Sequence, residues 1–189
     1  LNVADNIIIG GGMAFPFIKY LGGSIGDSIF QQNELKVVKE FLHKAKQSKT
    51  TILLPKDCLI TNSIEQKTNQ SYVDINNIPD GYMGVDIGIN TIKLFSTTIS
   101  KSKLIMWNGP MGISEINDYS QGSRDIADII VKTTKNGSYS LVGGGDTISD
   151  ISRFGLKKHF SYISTGGGAM LDFFKNENLP GTKNLESIL

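Results

Sequence analysis

The sequence predicts an α/β domain: a doubly wound, mostly parallel, Rossmann-like sheet with helices on both faces, three layers in all. Three observations carry this. Short apolar, β-branched runs alternate with amphipathic helical patterns along the whole chain. One of those runs, Asn6-Ile7-Ile8-Ile9, is continuous and β-branched, as in a strand buried on both faces. Three of them run straight into glycine triplets, at residues 10–12, 143–145 and 166–168. No Pro/Ser-rich linker divides the 189 residues, so residues 1–189 are expected to form one domain.

Asn6-Ile7-Ile8-Ile9 is the first strand. Val37, Val38, Phe41, Leu42 and Ala45 recur at helical spacing among Lys36, Lys39, Glu40 and His43, which predicts an amphipathic helix over 33–47. Thr51-Ile52-Leu53-Leu54 reads as a strand closed by Pro55, and Cys58-Leu59-Ile60 as another. From Thr61 to Asn77 the polar run predicts a surface excursion in which only Tyr72-Val73-Asp74-Ile75 is strand-like. A short helix is expected over 90–100 and a strand at Leu104-Ile105-Met106-Trp107, followed by a turn at Asn108-Gly109-Pro110-Met111-Gly112. The next helix carries Ile126, Ile129, Ile130 and Thr133 on one face and stops at Asn136-Gly137. Ser140-Leu141-Val142 is a strand, Asp146 to Phe154 a helix, Tyr162-Ile163 a strand and Ala169 to Phe174 a last helix.

Composition narrows the function. Hydrophobic residues make up 39% and charged residues 20%, enough apolar material for a core. Net charge is 19 − 18 = +1, so no bulk field draws nucleic acid or a membrane surface, and neither is expected as a partner. The single cysteine, Cys58, excludes a disulfide framework and fits a reducing compartment. Nothing approaches the roughly 20 apolar residues of a membrane span, and no signal peptide is visible. The start at Leu1-Asn2-Val3, without Met, reads like a piece of something longer.

Glycine is the unusual residue, 21 of 189 against an ordinary usage of about 7%. A strand, a glycine triplet and a helix start together make a phosphate-shaped turn. Glycine allows φ > 0 and close approach, and the helix offers free N–H groups and the positive end of its dipole. In a doubly wound sheet all three turns lie at carboxyl ends of strands, where ligands collect. No Gly-Lys pair occurs, so there is no Walker A loop. Phe15, Ile148 and Leu171 stand where the dinucleotide fingerprint would need a further glycine, which argues against an NAD-dependent dehydrogenase. Asp146 is either an N-cap or a carboxylate beside a phosphate-bound Mg²⁺; in the company of two other such turns the second reading is preferred. Glu115 could accept hydrogen bonds from ribose hydroxyls or cap the next segment, and the residues alone leave that open.

In order along the chain, these motifs resemble the C-terminal, nucleotide-binding half of the phosphoglycerate kinase family. The matching stretches are Ile8-Ile9-Gly10-Gly11-Gly12-Met13-Ala14-Phe15, Met83-Gly84-Val85-Asp86-Ile87-Gly88, Trp107-Asn108-Gly109-Pro110-Met111-Gly112, Gly143-Gly144-Gly145-Asp146-Thr147 and Ser164-Thr165-Gly166-Gly167-Gly168-Ala169, with Ile78-Pro79-Asp80-Gly81 and Leu179-Pro180-Gly181 in support. The resemblance implies reversible transfer of the acyl phosphate of 1,3-bisphosphoglycerate to MgADP, giving 3-phosphoglycerate and MgATP. It implies an adenine slot walled by Gly11, Gly12 and Val85. Asn108, Pro110 and Gly112 would lie along the nucleotide, with Glu115 on the ribose. Gly144, Gly145, Asp146 and Thr147 would hold the phosphates, Asp146 reaching the metal. The N–H groups of Gly166, Gly167 and Gly168 would face the phosphoryl group in flight, with Gly144 and Thr147 also close to the chemistry.

The family's basic cluster for the sugar phosphate has no counterpart, because Arg124 and Arg153 are the only arginines. The chain is therefore expected to bind nucleotide without turning over, the acceptor 3-phosphoglycerate or 1,3-bisphosphoglycerate being held by an N-terminal domain. A stand-alone, non-catalytic nucleotide-binding module is the alternative. A cytoplasmic monomer is expected, with a plastid-type organelle as the other compartment. Three positions depart from the family's habit. Pro16 predicts that the helix after the first triplet starts late or kinks; Ser114 stands beside Glu115 where Phe is usual; and Ile89-Asn90 replace the last two residues of the usual Gly-Pro-Glu/Asp pattern. Cys58 is read as a core residue, His43 and His159 as solvated, and Asn184 to Leu189 as a frayed tail.

Overall fold

The computed structural model describes residues 1–66, 69–166, 168 and 171. The strands are β1 (Asn6–Ile8), β2 (Ser24–Ile25), β3 (Thr51–Leu53), β4 (Asp57–Thr61), β5 (Ser71–Asp74), β6 (Asn77–Ile78), β7 (Met83–Ile87), β8 (Leu104–Asn108), β9 (Tyr139–Gly143) and β10 (Tyr162–Ile163), with β3 to β7 following one another without a helix between them. The helices are α1 (Ala14–Tyr20), α2 (Glu34–Ala45), α3 (Ile89–Ile99), α4 (Gln121–Lys135) and α5 (Gly145–Arg153). β1 pairs with β3, β2 with β6, and β9 with both β8 and β10, all in parallel. β4 runs antiparallel to β5 and β7, an irregularity lying between Leu59 and Ile60 on the β7 side. The result is the expected α/β fold with mostly parallel pairing.

Alternation along the strands shows what covers the sheet. Ile7 and Ile9 pack with Ala14, Phe17, Val38 and Phe41 of α1 and α2. Ile8 turns the other way, into a cluster with Phe95, Trp107, Ile126 and Ile130. Ile52 and Leu53 of β3 divide in the same manner, so this part of the sheet is covered on both faces. β8 differs. Ile105 and Trp107 are buried, whereas Leu104 and Met106 are 71% and 43% exposed, on the face that Tyr139 and Tyr162 share through the register.

Several expectations are corrected. Val37 is exposed; the buried stripe of α2 is Val38, Phe41, Leu42 and Ala45, and Val37 lies about 100° round from Val38. The polar run after Thr61 is no mere excursion, because β5 and β6 carry it back into two sheets and Ile75 and Ile78 are fully buried. Met83–Ile87, met in the sequence only as a motif, is a strand. His159 is half-buried in a 3-10 turn. Pro16 acts as expected: a 3-10 turn at Gly11–Met13 comes first, α1 starts at Ala14, and the proline occupies its first turn, where a missing N–H costs nothing. α4 ends as read, with Gly137 at φ 97° and its N–H on Thr134 O at 3.0 Å. The predicted helix Ala169 to Phe174, Leu179-Pro180-Gly181 and the tail Asn184 to Leu189 lie outside the described residues, apart from Leu171. Among the described residues no helix is long and apolar enough to cross a membrane.

Candidate functional site

The parallel pairing of β8, β9 and β10 sets their carboxyl ends on one edge: Asn108 to Gly112, Gly143 to Gly145 and Ser164 to Gly166. The turn after β1 joins them there. A carbon added to Gly11 would stand 2.5 Å from Pro110 O, and one added to Gly10 would meet the Met111 sulfur. Both fully described triplets take positive φ at their middle glycine, Gly11 at 57° and Gly144 at 86°. At both of these positions the turn needs glycine for its conformation.

α5 presents its start to this edge. Gly144 is its N-cap, and no side chain caps the first N–H groups. Gly145 and Asp146 are exposed, and a carbon added to Gly145 would meet nothing within 4 Å. An uncapped helix start with open space in front has the donors and dipole that an anion needs. Thr147, by contrast, is wholly buried, and its hydroxyl accepts the Gly109 N–H at 2.7 Å, locking α5 to the turn after β8. What Thr147 offers the edge is its backbone. Exposed Asn108 has its side-chain oxygen against Gly144.

A cavity of about 330 Å³ opens beside these turns, lined by Gly11, Gly12, Val85, Gly112, Met83 and Ile113 among others. The three residues expected to wall a base slot, Gly11, Gly12 and Val85, are thus brought together with Gly112. Ile113 N–H donates to Val85 O at 2.8 Å and Met111 N–H to Ser123 Oγ at 2.8 Å, fixing the loop that leads to exposed Glu115. Gly166 and Gly168 follow β10 in the chain and are exposed; Gly167 lies outside the described residues.

Reading the sequence alone missed Asp57 and Asp86. Asp57 in β4 accepts the N–H groups of Asn90 at 3.0 Å and Thr91 at 2.8 Å, capping α3, whose own N-cap Gly88 has no side chain. The start of α3 is therefore already satisfied, whereas no side chain caps the start of α5. Asp86 does the same for α4 from β7, accepting Gly122 N–H at 2.7 Å. No local spacing signals either cap, because the partners lie more than thirty residues away. Cys58 is a core residue as read, 2% exposed.

Such an edge, with glycine turns at the carboxyl ends of parallel strands and helices behind them, defines the chain as a Rossmann-like α/β domain. Its neighbours narrow this. The profile of the phosphoglycerate kinase family matches residues 1–177, and the chain belongs to that family of enzymes. It is 42% identical over 186 residues to the phosphoglycerate kinase of Thermosipho africanus and 41% identical over 184 to that of Corynebacterium jeikeium. These matches cover 98% and 97% of the chain but 46% and 45% of the relatives, so the chain spans about half their length. Among solved structures, phosphoglycerate kinase from Coxiella burnetii superposes with a TM-score of 0.88 at 35% identity, over 95% of this chain and 46% of that one. The Pyrococcus horikoshii enzyme gives 0.73 at 28%, over 97% and 45%.

Proposed function

We propose that this chain is the nucleotide-binding half of a glycolytic kinase that reversibly transfers the acyl phosphate of 1,3-bisphosphoglycerate to MgADP, giving 3-phosphoglycerate and MgATP. The observation that carries the reading is the uncapped start of α5 behind Gly144, on the same edge as the cavity walled by Gly11, Gly12, Val85 and Gly112. The base would occupy that slot, Asn108 and Pro110 would follow the nucleotide, and Glu115 would take the ribose hydroxyls. The first N–H groups of α5 at Gly145, Asp146 and Thr147 would hold the terminal phosphates.

Among the described residues no group of three or more His, Cys, Asp or Glu could hold a metal alone. That fits Mg²⁺, which takes one or two carboxylates and completes its shell with phosphate oxygens and water. Exposed Asp146, beside the phosphate-holding turn, would hold it, and the ion would offset phosphate charge. In the transfer, an ADP terminal oxygen forms a bond to phosphorus as the bond from phosphorus to the carboxyl oxygen breaks; the electron pair leaves with the carboxylate, and no proton moves. The protein's part is alignment and donors aimed at the equatorial oxygens, a part suited to the glycine N–H groups after β10.

Binding without turnover by this chain is supported by its arginines: both Arg124 and Arg153 lie over the Phe154 ring, 4.4 and 5.2 Å from its centre. They are the chain's two arginines, and Arg153 is already paired with Asp150. The test is calorimetric titration of ADP, with and without Mg²⁺, into the wild type and Asp146→Ala. The wild type is expected to bind more tightly with Mg²⁺ and the variant to lose that gain. Equal affinities would remove the metal assignment, and no binding would remove the nucleotide reading. A coupled assay giving appreciable turnover from the chain alone would overturn the division of labour.

A further inference from the structure

Arg153, in the last turn of α5, gathers contacts that the fold and the proposed chemistry leave unexplained. Its Nη2 donates to the carbonyl oxygen of Ser114 and, at 2.9 Å, to Asp150 Oδ1; its Nη1 donates to Asn117 Oδ1 at 3.3 Å. Ser114 and Asn117 bracket Glu115. Asp150 is 4% exposed and its second oxygen has no hydrogen-bond partner, so the guanidinium is also the counter-charge of a buried carboxylate. The Phe154 ring beneath it restricts the fork's movement. Ser114 is 1% exposed, so its carbonyl is a fixed anchor. One planar group thus ties the loop carrying Glu115 to the helix whose opposite end presents the uncapped N–H groups.

We propose that Arg153 is a positioning residue for the nucleoside end of the ligand, holding Glu115 at a set distance from the phosphate-binding start of α5. This rests on the nucleotide reading above. The helix is nine residues long. A span of about 13 Å between its two ends follows from a rise of about 1.5 Å per residue, and a rigid rod of that kind transmits position. Lysine cannot replace the arginine, because a single ammonium cannot serve three acceptors in one plane.

The test is Arg153→Lys, which leaves Asp150 a counter-charge, titrated with MgADP and separately with magnesium pyrophosphate. MgADP affinity is expected to fall about tenfold, one hydrogen bond's worth, while pyrophosphate affinity stays within about twofold. Equal losses for both ligands would mean that Arg153 merely supports α5 and would overturn the proposal, as would no loss for either. Should Arg153→Lys fail to fold, Asn117→Ala removes one arm without stranding the carboxylate. The same selective but smaller loss is then expected, and wild-type affinities would overturn the proposal. Wild-type protein that takes up neither ligand would overturn the nucleotide reading and this proposal together. Normal wild-type binding with an unaltered variant overturns this proposal alone.

Discussion

The carboxylate of Asp86 in β7 accepts the Gly122 N–H of α4 at 2.7 Å, across 36 residues of chain. Its other oxygen takes the Ile87 N–H at 2.8 Å. Ser120, the N-cap of α4, makes no side-chain capping bond, so a neighbouring strand supplies the cap. The approach is close: a carbon added to Gly112 would stand 2.5 Å from Asp86 Oδ1. Asp86 therefore joins the strand of Val85, the loop of Gly112 and the start of α4 in one place.

That place is 6% exposed, and burial pushes the Asp86 carboxyl from its ordinary 3.8 to about 7. The two N–H bonds pull it down less than burial lifts it, and the charges of Asp125 and Asp150 add to the rise. The folded chain holds this proton to higher pH than the unfolded chain does. Its contribution to stability is complete below about pH 4 and is lost as pH rises through 7. Melting measured by calorimetry is expected to weaken from pH 5 to 8, this group giving at most about 1.4 kcal/mol per pH unit. Asp86→Asn should flatten that slope; a wild-type profile already level across the window would contradict the burial argument.

Adjacent glycines at the start of α5 should answer alanine in opposite ways. Gly144 has φ at 86°, and an added carbon would run into the Asn108 side chain. Gly144→Ala is expected to cost about 1–3 kcal/mol in urea denaturation and to weaken MgADP binding. Gly145 has open space around it and lies in the helix. Gly145→Ala should leave stability within about 0.5 kcal/mol or raise it slightly. Equal costs at the two positions would mean that the turn conformation is not what glycine is there to provide.

What could be read in advance follows from how local each signal is. Ile7-Ile8-Ile9 and Leu141-Val142 announce strands because β-branched runs have few other homes. The triplets behind them announce turns because Gly11 and Gly144 need φ > 0. The pairing of β2 with β6 rests on two residues of each and leaves no periodic trace. β7 was harder to see because Gly84 and Asp86 interrupt its apolar pattern, the first packed under Phe15 and the second turned to α4. Leu104 to Trp107 is a continuous apolar run, yet every second residue is exposed. A run of apolar residues reports hydrophobicity and not which neighbours stand on each side. Asp57, Asp86 and Arg153 share a cause: each acts on backbone more than thirty residues away.

Asp57 should prove structural and separable from ligand binding. It accepts two N–H groups of α3 and the Thr91 hydroxyl at 2.7 Å, while Thr91 Oγ1 in turn receives the N–H groups of Lys56 and Asp57. Asp57→Ala opens the cap and unsettles that exchange, at an expected cost of about 1–3 kcal/mol. Pyrophosphate affinity should stay unchanged after correction for the unfolded fraction, because the helix proposed to face the phosphates is α5. A selective loss of pyrophosphate binding in a folded Asp57→Ala protein would reassign the anion site to α3.

Cys58 provides a probe of the antiparallel strands. It lies in the middle one, β4, between Val73 of β5 and Ile87 of β7, and is 2% exposed. Burial pushes its thiol up to about 12, with the charges of Asp57 and Asp74 adding to the rise. At pH 8 only about one molecule in ten thousand would carry the thiolate that reacts with a disulfide reagent, and the packed strands block approach as well. Reaction with Ellman's reagent is therefore expected to be negligible in native buffer. In rising urea it should appear only along the global unfolding curve followed by Trp107 fluorescence, since the sulfur is packed in a core cluster with Phe15, Ile25, Ile75 and Ile78. Labelling that precedes the fluorescence transition would instead mean that β5 opens on its own, leaving β7 and the Val85 wall in place.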